Sequence, residues 1–120
     1  MKAFIISISL TVALTAAVLI NALYVSKVTG EMKSLVEQID QGQYSDKAFE
    51  ALCDKWARHK RIFTVSVSFE DIDHITEYIT RLGGALESGD ADAVDQHCAL
   101  LQNFFDDVTR HEKISLLNIL

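Results

Sequence analysis

The stretch AFIISISLTVALTAAVLINALYV, residues 3–25, decides the fold because it is long, apolar and free of charged side chains. The uncharged run continues through Ser26. At about 1.5 Å per residue, a helix over residues 3–26 exceeds the hydrocarbon core of a bilayer, which is about 30 Å thick. The sequence therefore predicts one membrane-spanning helix within residues 1–26.

Two other interpretations of the run stay open, a cleaved signal peptide and a buried core helix. A signal peptide has a shorter apolar run of about 7–15 residues, followed by small residues at the cleavage site. Residues 20–22 form a poor version of that site, and residues 23–25 continue the apolar character past it. Tyr24 also suits the interface between membrane and water. We therefore predict an uncleaved signal-anchor.

The charges that flank the run nearly balance, so they decide its orientation only weakly. Lys2 and the α-amino group precede the run, whereas Lys27 and Lys33 follow it with Glu31 between them. The tail before the run is very short, and no strong basic cluster follows to hold the remainder in the cytoplasm. We predict a single-pass protein of the cytoplasmic membrane, with a cytoplasmic N-terminus and an extracytoplasmic helical domain.

The rest of the chain is acidic. The 120-residue sequence has a formal net charge of -6, with 11 Lys and Arg against 17 Asp and Glu, and only Lys2 precedes the apolar run. Such a surface repels phosphate backbones and lacks the basic excess that gives nucleic-acid affinity. We therefore predict that neither DNA nor RNA is a partner.

The remaining sequence favours helices throughout. The chain contains no proline, and after residue 45 its apolar residues recur mostly at helical intervals. We predict an all-α protein, with an N-terminal transmembrane helix followed by a small antiparallel helical hairpin or a three- to four-helix bundle. We divide it into an anchor at residues 1–26, a membrane-proximal helix and turn at 27–44, and one helical domain at 45–120, since the length leaves room for no second domain.

Apolar stripes mark the predicted helices after the span. The first three stripes are Val28, Met32, Leu35, Val36 and Ile39; Phe49, Leu52, Cys53, Trp56 and Phe63; and Ile72, Ile75, Ile79, Leu82 and Leu86. The last helix has two stripes, which predict contacts on two sides: Val94, Cys98, Leu101, Phe105 and Val108 beside Leu100, Phe104 and Ile114. Gly83 and Gly84 lie inside the third helix and indicate either a close helix approach or a soft point.

Turn-forming residues predict the connections between these helices. Gly42 and Ser45 frame one turn, and Gly89 with Asp90 frames another. The segment IFTVSVSF, residues 62–69, alternates as a strand would, but no second alternating run is available to pair with it. We therefore interpret it as helix or as a bend between helices.

Several segments together resemble a known family. The anchor, KWARHKR at residues 55–61, IDHITEYITRLGGALESGDADAV at 72–94 and SLLNIL at 115–120 look like the bacterial family of short membrane proteins called domain of unknown function 4363. The most specific piece is the pair Asn118 and Ile119. The resemblance covers nearly the whole chain and implies a bacterial, single-span protein. It implies no activity, because the family has none assigned and offers no catalytic residues to carry over.

Cys53 and Cys98 each lie on the apolar face of a predicted helix. In an oxidising compartment, a disulfide between them would close a loop of about 45 residues and stabilise the domain by roughly 3–4 kcal/mol. The alternative is two separate buried thiols, because free cysteine is among the most buried residue types. Both interpretations stay open.

No metal site is predicted from the spacing of potential ligands. His97 and Cys98 are adjacent, and neighbouring side chains on a helix point about 100° apart, so they do not easily share one ion with Cys53 or His59. The sequence also lacks a CxxC or HExxH motif. We predict neither a bound metal nor a cofactor.

No catalytic constellation stands out either. Glu70, Asp71 and Asp73 precede His74 near the start of a predicted helix. Acids in the first turn of a helix interact favourably with its dipole, which explains them without catalysis. Neither cysteine falls in a nucleophile motif. We therefore predict a protein that is not an enzyme.

Basic and apolar residues supply a candidate interaction surface. The basic segment at residues 55–61 suits anionic lipid headgroups or an acidic partner, but it can also pair with acids of the same chain. The closing ISLLNIL, residues 114–120, is apolar for a terminus and is expected to pack on the domain, on lipid or on another subunit. Trp56 is interpreted as core or as part of the contact surface. The full candidate surface is Trp56, Arg58, Lys60, Arg61, Leu116, Leu117, Ile119 and Leu120.

Two hypotheses for function follow. The first is a non-enzymatic, membrane-anchored helical module for protein interaction, whose partners are the membrane and an unidentified protein or a second copy of the chain. The alternative is a small extracytoplasmic sensory or ligand-binding bundle, in which a solute changes helix packing near Gly83 and Gly84. An interior cavity with a polar lining would favour the second hypothesis.

Overall fold

The computed structural model describes residues 1–42, 45–64, 67 and 69–119, and within these ranges the chain is all-α. The helices are α1 (Lys2–Asp40), α2 (Ser45–Phe63), α3 (Phe69–Ser88) and α4 (Ala91–Ile119). No strand occurs in the described ranges. The predicted all-α class is confirmed, and α1 is long and apolar enough by length and composition to cross a membrane.

The second half of α1 forms an antiparallel four-helix bundle with the other helices. α1 packs against both α2 and α4, α3 packs against α4, and α2 touches α3 more lightly. Tyr24 of α1 contacts His59 of α2, and farther along α1 Glu31 contacts Lys55, so these two helices run in opposite directions. The predicted hairpin or bundle is thus a bundle of four helices.

α1 is one continuous helix with two different surroundings. Residues 2–20 project beyond the bundle and are mostly exposed, and the molecule measures 67 × 24 × 22 Å as a result. The second half contributes to the core through Ala22, Val25, Val28, Met32, Val36 and Ile39. No break separates the two halves near residue 26, and residues 27–40 pack as part of the bundle rather than as a separate unit.

The predicted apolar stripes build the core of the bundle. Leu52 and Phe63 of α2, Ile75 and Leu82 of α3, and Cys98, Leu101 and Phe105 of α4 are fully buried. Trp56 packs edge-on against Phe63, with ring centroids 5.3 Å apart, and its Nε1 donates a hydrogen bond to Oγ1 of Thr76 at 2.9 Å. A buried indole keeps its N–H paired while it removes a large apolar area from water. α4 packs on α1 and on α3, which confirms the prediction of contacts on two sides.

Glycines end α1 and α3 as the sequence predicts. Gly42 and Gly89 have φ angles of 75° and 72°, a left-handed conformation that glycine adopts without steric cost. Oδ1 of Asp90 accepts a hydrogen bond from the backbone N–H of Ala93 at 3.1 Å, so Asp90 caps α4. Ser45 is the first residue of α2, and its side chain lies outside the described residues.

The segment at residues 62–69 joins α2 to α3. α2 ends at Phe63, α3 begins at Phe69, and the backbone N–H of Val67 donates to the carbonyl oxygen of Phe63 at 2.7 Å. Val67 is half-buried against the core. The described part of the segment fits the predicted helix or bend, and residues 65, 66 and 68 lie outside the described residues.

Gly83 marks a close approach between α2 and α3. A Cβ atom placed on Gly83 would lie 2.7 Å from Cζ of Phe49, whereas one placed on Gly84 would meet no other atom within 4 Å. The missing side chain at Gly83 therefore makes room for the Phe49 ring. Of the two interpretations of this glycine pair, the close approach holds for Gly83.

Candidate functional site

The bundle has two chemically different ends. At the end that we call basal, α1 leaves the bundle, α2 and α4 finish and α3 begins. At the opposite, apical end, α1 and α3 finish while α2 and α4 begin. The basal end therefore faces the projecting half of α1, and the apical end is the part of the bundle farthest from it.

Two polar contacts hold α1 against α2 at the basal end. Nδ2 of Asn21 donates to the carbonyl oxygen of Ile62 at 3.5 Å. The hydroxyl of Tyr24 lies 2.6 Å from Nδ1 of His59, and the two rings pack with centroids 5.5 Å apart. These contacts fix the point at which α1 leaves the bundle. Nothing in the amino-acid pattern indicates this pairing, because His59 stands within a run of basic residues.

The register between α1 and α4 places the end of α4 at the basal end. Nζ of Lys33 pairs with Oδ1 of Asp106 at 2.5 Å, and α4 runs antiparallel to α1. From Asp106 to Ile119, α4 extends by about 20 Å. The same distance back along α1 from Lys33 reaches Ile20. α4 therefore ends level with Ile20, inside the uncharged run.

Exposed apolar side chains gather at the basal end. Beyond residue 26, the large apolar side chains that the structure describes as exposed are Phe69 (73%), Ile114 (50%) and Leu117 (73%). Phe69 opens α3, and the other two lie in the last turns of α4. Of these three, only Leu117 belongs to the candidate surface predicted from the sequence. Ile114 belongs to a predicted packing stripe and opens the apolar segment at residues 114–120, and Phe69 ends the alternating segment.

Charge is divided between the two ends. The apical halves of the helices, with the cap of α4 included, are residues 31–40, 45–54, 79–88 and 90–105. They carry ten carboxylates, all exposed except the half-buried Glu31: Glu31, Glu37, Asp40, Asp46, Glu50, Asp54, Glu87, Asp90, Asp92 and Asp95. Three cations, Lys33, Lys47 and Arg81, accompany them. The basal halves carry seven acids and seven lysines or arginines. The net negative charge of the bundle is therefore concentrated at its apical end, and the basal end is balanced.

The structure brings part of the candidate surface to the basal end. Arg58, Lys60 and Arg61 are exposed on the last turns of α2, and Leu117 is exposed near the end of α4. The side chains of Leu116, Ile119 and Leu120 lie outside the described residues. Basic and apolar members of the predicted surface thus share one end of the molecule.

Trp56 does not belong to that surface. Its side chain is only 4% exposed, because it lies between α2 and α3 with its N–H paired to Thr76. The core interpretation of Trp56 is therefore the right one, and its place among the surface residues was wrong.

The seam between α1 and α2 carries two grooves. One has a volume of about 500 Å³ and is lined by Glu31, Ser34, Leu35, Ala51, Asp54, Lys55, Arg58 and His59. Within it, Lys55 donates a hydrogen bond to Glu31, and this bond holds the pKa of Glu31 below its usual range. The other groove has a volume of about 420 Å³ and is mostly apolar, lined by Ala17, Ile20, Asn21, Tyr24 and Ile62. The contact between Tyr24 and His59 lies between the two grooves.

The two cysteines are separate free thiols. No Cα atom of α2 lies within 8 Å of one in α4, whereas a disulfide needs Cα atoms less than about 7 Å apart. Burial raises the pKa of Cys98 to about 12, with the charges of Asp40 and Asp95 adding to it. Burial, followed by the charge of Asp54, also raises the pKa of Cys53. The structure therefore supports the interpretation as separate thiols and leaves no bridge between them.

A pair of carboxyl groups lies at the apical end, where α1 ends beside the start of α4. Desolvation raises the pKa of Asp40, and a hydrogen bond and like charge from Asp95 raise it further. Two carboxylates this close favour a shared proton. Within the described residues, no group of three His, Cys, Asp or Glu side chains is placed to hold a metal ion.

The acidic residues at the start of α3 are exposed, as expected for a solvated first turn. Glu70 and Asp73 are exposed, and a carboxylate oxygen of Glu70 lies 3.9 Å from Nε2 of His74. The His74 ring stacks on Phe104 of α4 at 5.9 Å and on Tyr78 at 6.4 Å. His74 therefore packs between α3 and α4 on its ring face.

Three buried polar atoms have no hydrogen-bond partner among the described residues. They are Oγ1 of Thr29, Nδ1 of His97 and Oε1 of Glu112. Glu112 is only 2% exposed on the basal part of α4, although a buried carboxyl group without a partner is costly. Nothing in the amino-acid pattern indicated this burial, because Glu112 stands among charged residues.

A family model described as Domain of unknown function (DUF4363) matches residues 19–119, which include the whole bundle. The resemblance predicted from the sequence is thereby confirmed. No curated protein and no solved structure matches the chain.

Proposed function

The chain belongs to the DUF4363 family, and we propose that it is a non-enzymatic, membrane-anchored helical module for protein interaction. Its projecting helix crosses the cytoplasmic membrane and remains uncleaved. The bundle then stands outside the cytoplasm and presents its apical end to a partner. The observation that carries this proposal is the continuity of α1, one helix that supplies both the projecting apolar half and part of the bundle core.

A span that continues into the core of a domain holds that domain rigidly. Val28, Met32 and Val36 of α1 are buried with residues of the other helices in one apolar cluster. No flexible linker intervenes, so the bundle cannot turn freely relative to the span. Cleavage near residues 20–22 would also cut α1 beside Ala22 and Val25, two residues that are buried in the bundle. An uncleaved anchor agrees better with this packing than a removed signal peptide.

The apical end is the surface that such an anchor holds farthest from the bilayer. Its nine exposed carboxylates against three cations favour a partner with a basic surface, because complementary charge steers association and discriminates among partners. The ligand-binding alternative remains a prediction. The two grooves on the seam of α1 and α2 lie between neighbouring helices, and neither lies in the bundle interior between all four.

Photo-crosslinking in intact cells tests the interaction. A photoreactive amino acid at Glu50 or Asp92 reports on the apical end, and one at Asp73, an exposed acid in the basal half of α3, serves as the control. The proposal predicts one discrete adduct from both apical positions and none from Asp73. The adduct should weaken when Asp90 and Asp95 are changed to asparagine.

Two results would count against the proposed module. Adducts that form equally from all three positions would indicate non-specific contact. If the full-length protein is membrane-bound but yields no adduct from either apical position, the anchor agrees with the result and the proposed apical partner is contradicted.

A further inference from the structure

We propose that the basal end of the bundle lies on the surface of the same bilayer that α1 crosses, with its exposed apolar side chains among the headgroups and its cations on anionic lipid phosphates. The inference rests on the proposed anchor and goes beyond it, because it assigns a lipid-binding surface to the folded domain itself. A tethered domain without this surface would stand clear of the membrane.

The lengths of the helices place the headgroups at the basal end. The uncharged part of α1 from Ala3 to Ile20 is about 27 Å long as a helix, close to the roughly 30 Å of a hydrocarbon core. α4 ends level with Ile20, and α2 ends where Ile62 meets Asn21. The plane at which α1 leaves the hydrocarbon is therefore the plane at which α2 and α4 end.

The exposed apolar side chains are arranged for such a surface. Besides Leu23 of α1, the large apolar side chains exposed in the described part of the bundle are Phe69, Ile114 and Leu117, and these three also lie at the basal end. An exposed phenylalanine or leucine loses contact with water favourably when it enters the headgroup region. Since the bundle core is already filled by other side chains, the cover for these three must come from outside the bundle.

The cations at the same end match anionic headgroups. Lys60, Arg61 and Lys113 are exposed there, whereas the excess of acids lies at the apical end. Anionic lipid attracts lysine and arginine near its surface and repels carboxylates. The charge distribution therefore favours the orientation in which the basal end faces the bilayer and the apical end points away.

The bilayer is the occupant that the geometry favours over a second copy of the chain. Because α1 enters the membrane at the basal end, lipid surrounds the helix at the level of these side chains. A protein partner would have to displace that lipid before it could reach the apolar residues. A self-association through the basal end is a distinct outcome that the experiment below detects.

Depth-dependent quenching in lipid nanodiscs tests the inference on the full chain. The variant Leu117→Cys carries an environment-sensitive fluorophore, and the discs contain phosphatidylglycerol, phosphatidylcholine and a lipid with a nitroxide near its headgroup. Gln41→Cys, at the apical end of α1, is the matched control, and wild-type protein measures the labelling of the native thiols, the buried Cys98 and the half-buried Cys53. We expect quenching at Leu117→Cys to exceed that at Gln41→Cys several-fold.

The role of the cations is tested in the same discs. Changing both Lys60 and Arg61 to glutamine should reduce quenching at Leu117→Cys, and so should replacing phosphatidylglycerol by phosphatidylcholine. Both changes affect exposed side chains, and an unchanged thermal unfolding curve shows that the bundle is intact. Equal quenching with and without anionic lipid would contradict the proposed contact of Lys60 and Arg61 with anionic headgroups.

A probe at Leu10→Cys, within the projecting half of α1, tests the membrane anchor separately from the surface contact. Quenching at Leu10→Cys by a nitroxide deep in the acyl chain, with none at Leu117→Cys, would overturn the surface contact and leave the anchor standing. Absence of quenching at both positions would overturn the anchor and the surface together. Self-quenching that depends on two copies per disc would assign the basal end to a second copy and overturn the lipid proposal.

Discussion

The hydroxyl of Tyr24 lies 2.6 Å from Nδ1 of His59, at the point where α1 leaves the bundle. Both side chains are half-buried, and the contact spans 35 positions of sequence. It joins the base of the projecting helix to α2, two turns of helix before Lys55 reaches Glu31. The orientation of the projecting half relative to the bundle depends in part on this pair.

We expect Tyr24→Phe to destabilise the bundle by about 0.5–1.5 kcal/mol, the usual net contribution of one hydrogen bond. The change leaves the ring in place and removes only the hydroxyl. Thermal unfolding of the full chain in nanodiscs measures the effect. Tyr78→Phe is the matched control, because the hydroxyl of this half-buried tyrosine on α3 makes no hydrogen bond with the described residues. Equal losses in the two variants would contradict the role of the contact with His59.

The two glycines of α3 should respond differently to alanine. Gly84 is exposed with open space around it, so Gly84→Ala should stabilise the bundle by up to about 1 kcal/mol through helix propensity. Gly83→Ala places a methyl group against the ring of Phe49, which must shift, so the gain should be lost or reversed. Denaturant unfolding of the two single variants gives the comparison. A similar stabilisation by both substitutions would mean that Phe49 moves aside freely.

Removal of one apical carboxylate should stabilise the protein at neutral pH. The pKa of Asp40 is raised in the folded state, so stability is lost as the pH rises from the ordinary aspartate pKa of about 3.9 through the folded value. Asp40→Asn should therefore raise Tm at pH 7, and the advantage should shrink as the pH falls to 4, where wild-type Asp40 takes up its proton. An advantage that stays constant from pH 7 to pH 4 would contradict the assignment to Asp40.

Glu112 should be dispensable for stability. Its side chain is 2% exposed and Oε1 has no partner among the described residues, so Glu112→Met should raise the free energy of unfolding by about 1 kcal/mol or more. Glu87→Met, on the exposed surface of α3, should change it little. Thermal unfolding of both variants decides the matter. A clear loss of stability in Glu112→Met would show that the carboxylate has a partner that stabilises it.

The helices and the core could be predicted from the sequence because they depend on local periodicity. The stripe from Ile72 to Leu82 and the turns at Gly42 and Gly89 follow from side-chain spacing and backbone preference alone. The two-sided packing of α4 also follows, because a helix with two apolar stripes needs two neighbours.

The charge difference between the two ends of the bundle, and the contacts between its helices, could not be predicted in the same way. The apical excess of acids is spread over four separate segments, and it becomes visible only when the antiparallel order of the helices is known. The separation of Cys53 from Cys98 likewise depends on α2 and α4 lying diagonally, which no local pattern encodes. Trp56 had two open interpretations because its stripe does not say whether an amphipathic side chain faces the core or a partner.

The most direct test of an anchored, uncleaved protein whose bundle lies outside the cytoplasm is labelling of Gln41→Cys in intact cells with an impermeant thiol reagent. Cys98 is buried, Cys53 is half-buried and both thiols have raised pKa values, so wild-type protein, labelled in parallel, should react far less and sets the background. The account predicts a labelled band at the size of the full-length chain, in the membrane fraction, before lysis. Labelling only after lysis, or on a shorter protein released from the membrane, would contradict it.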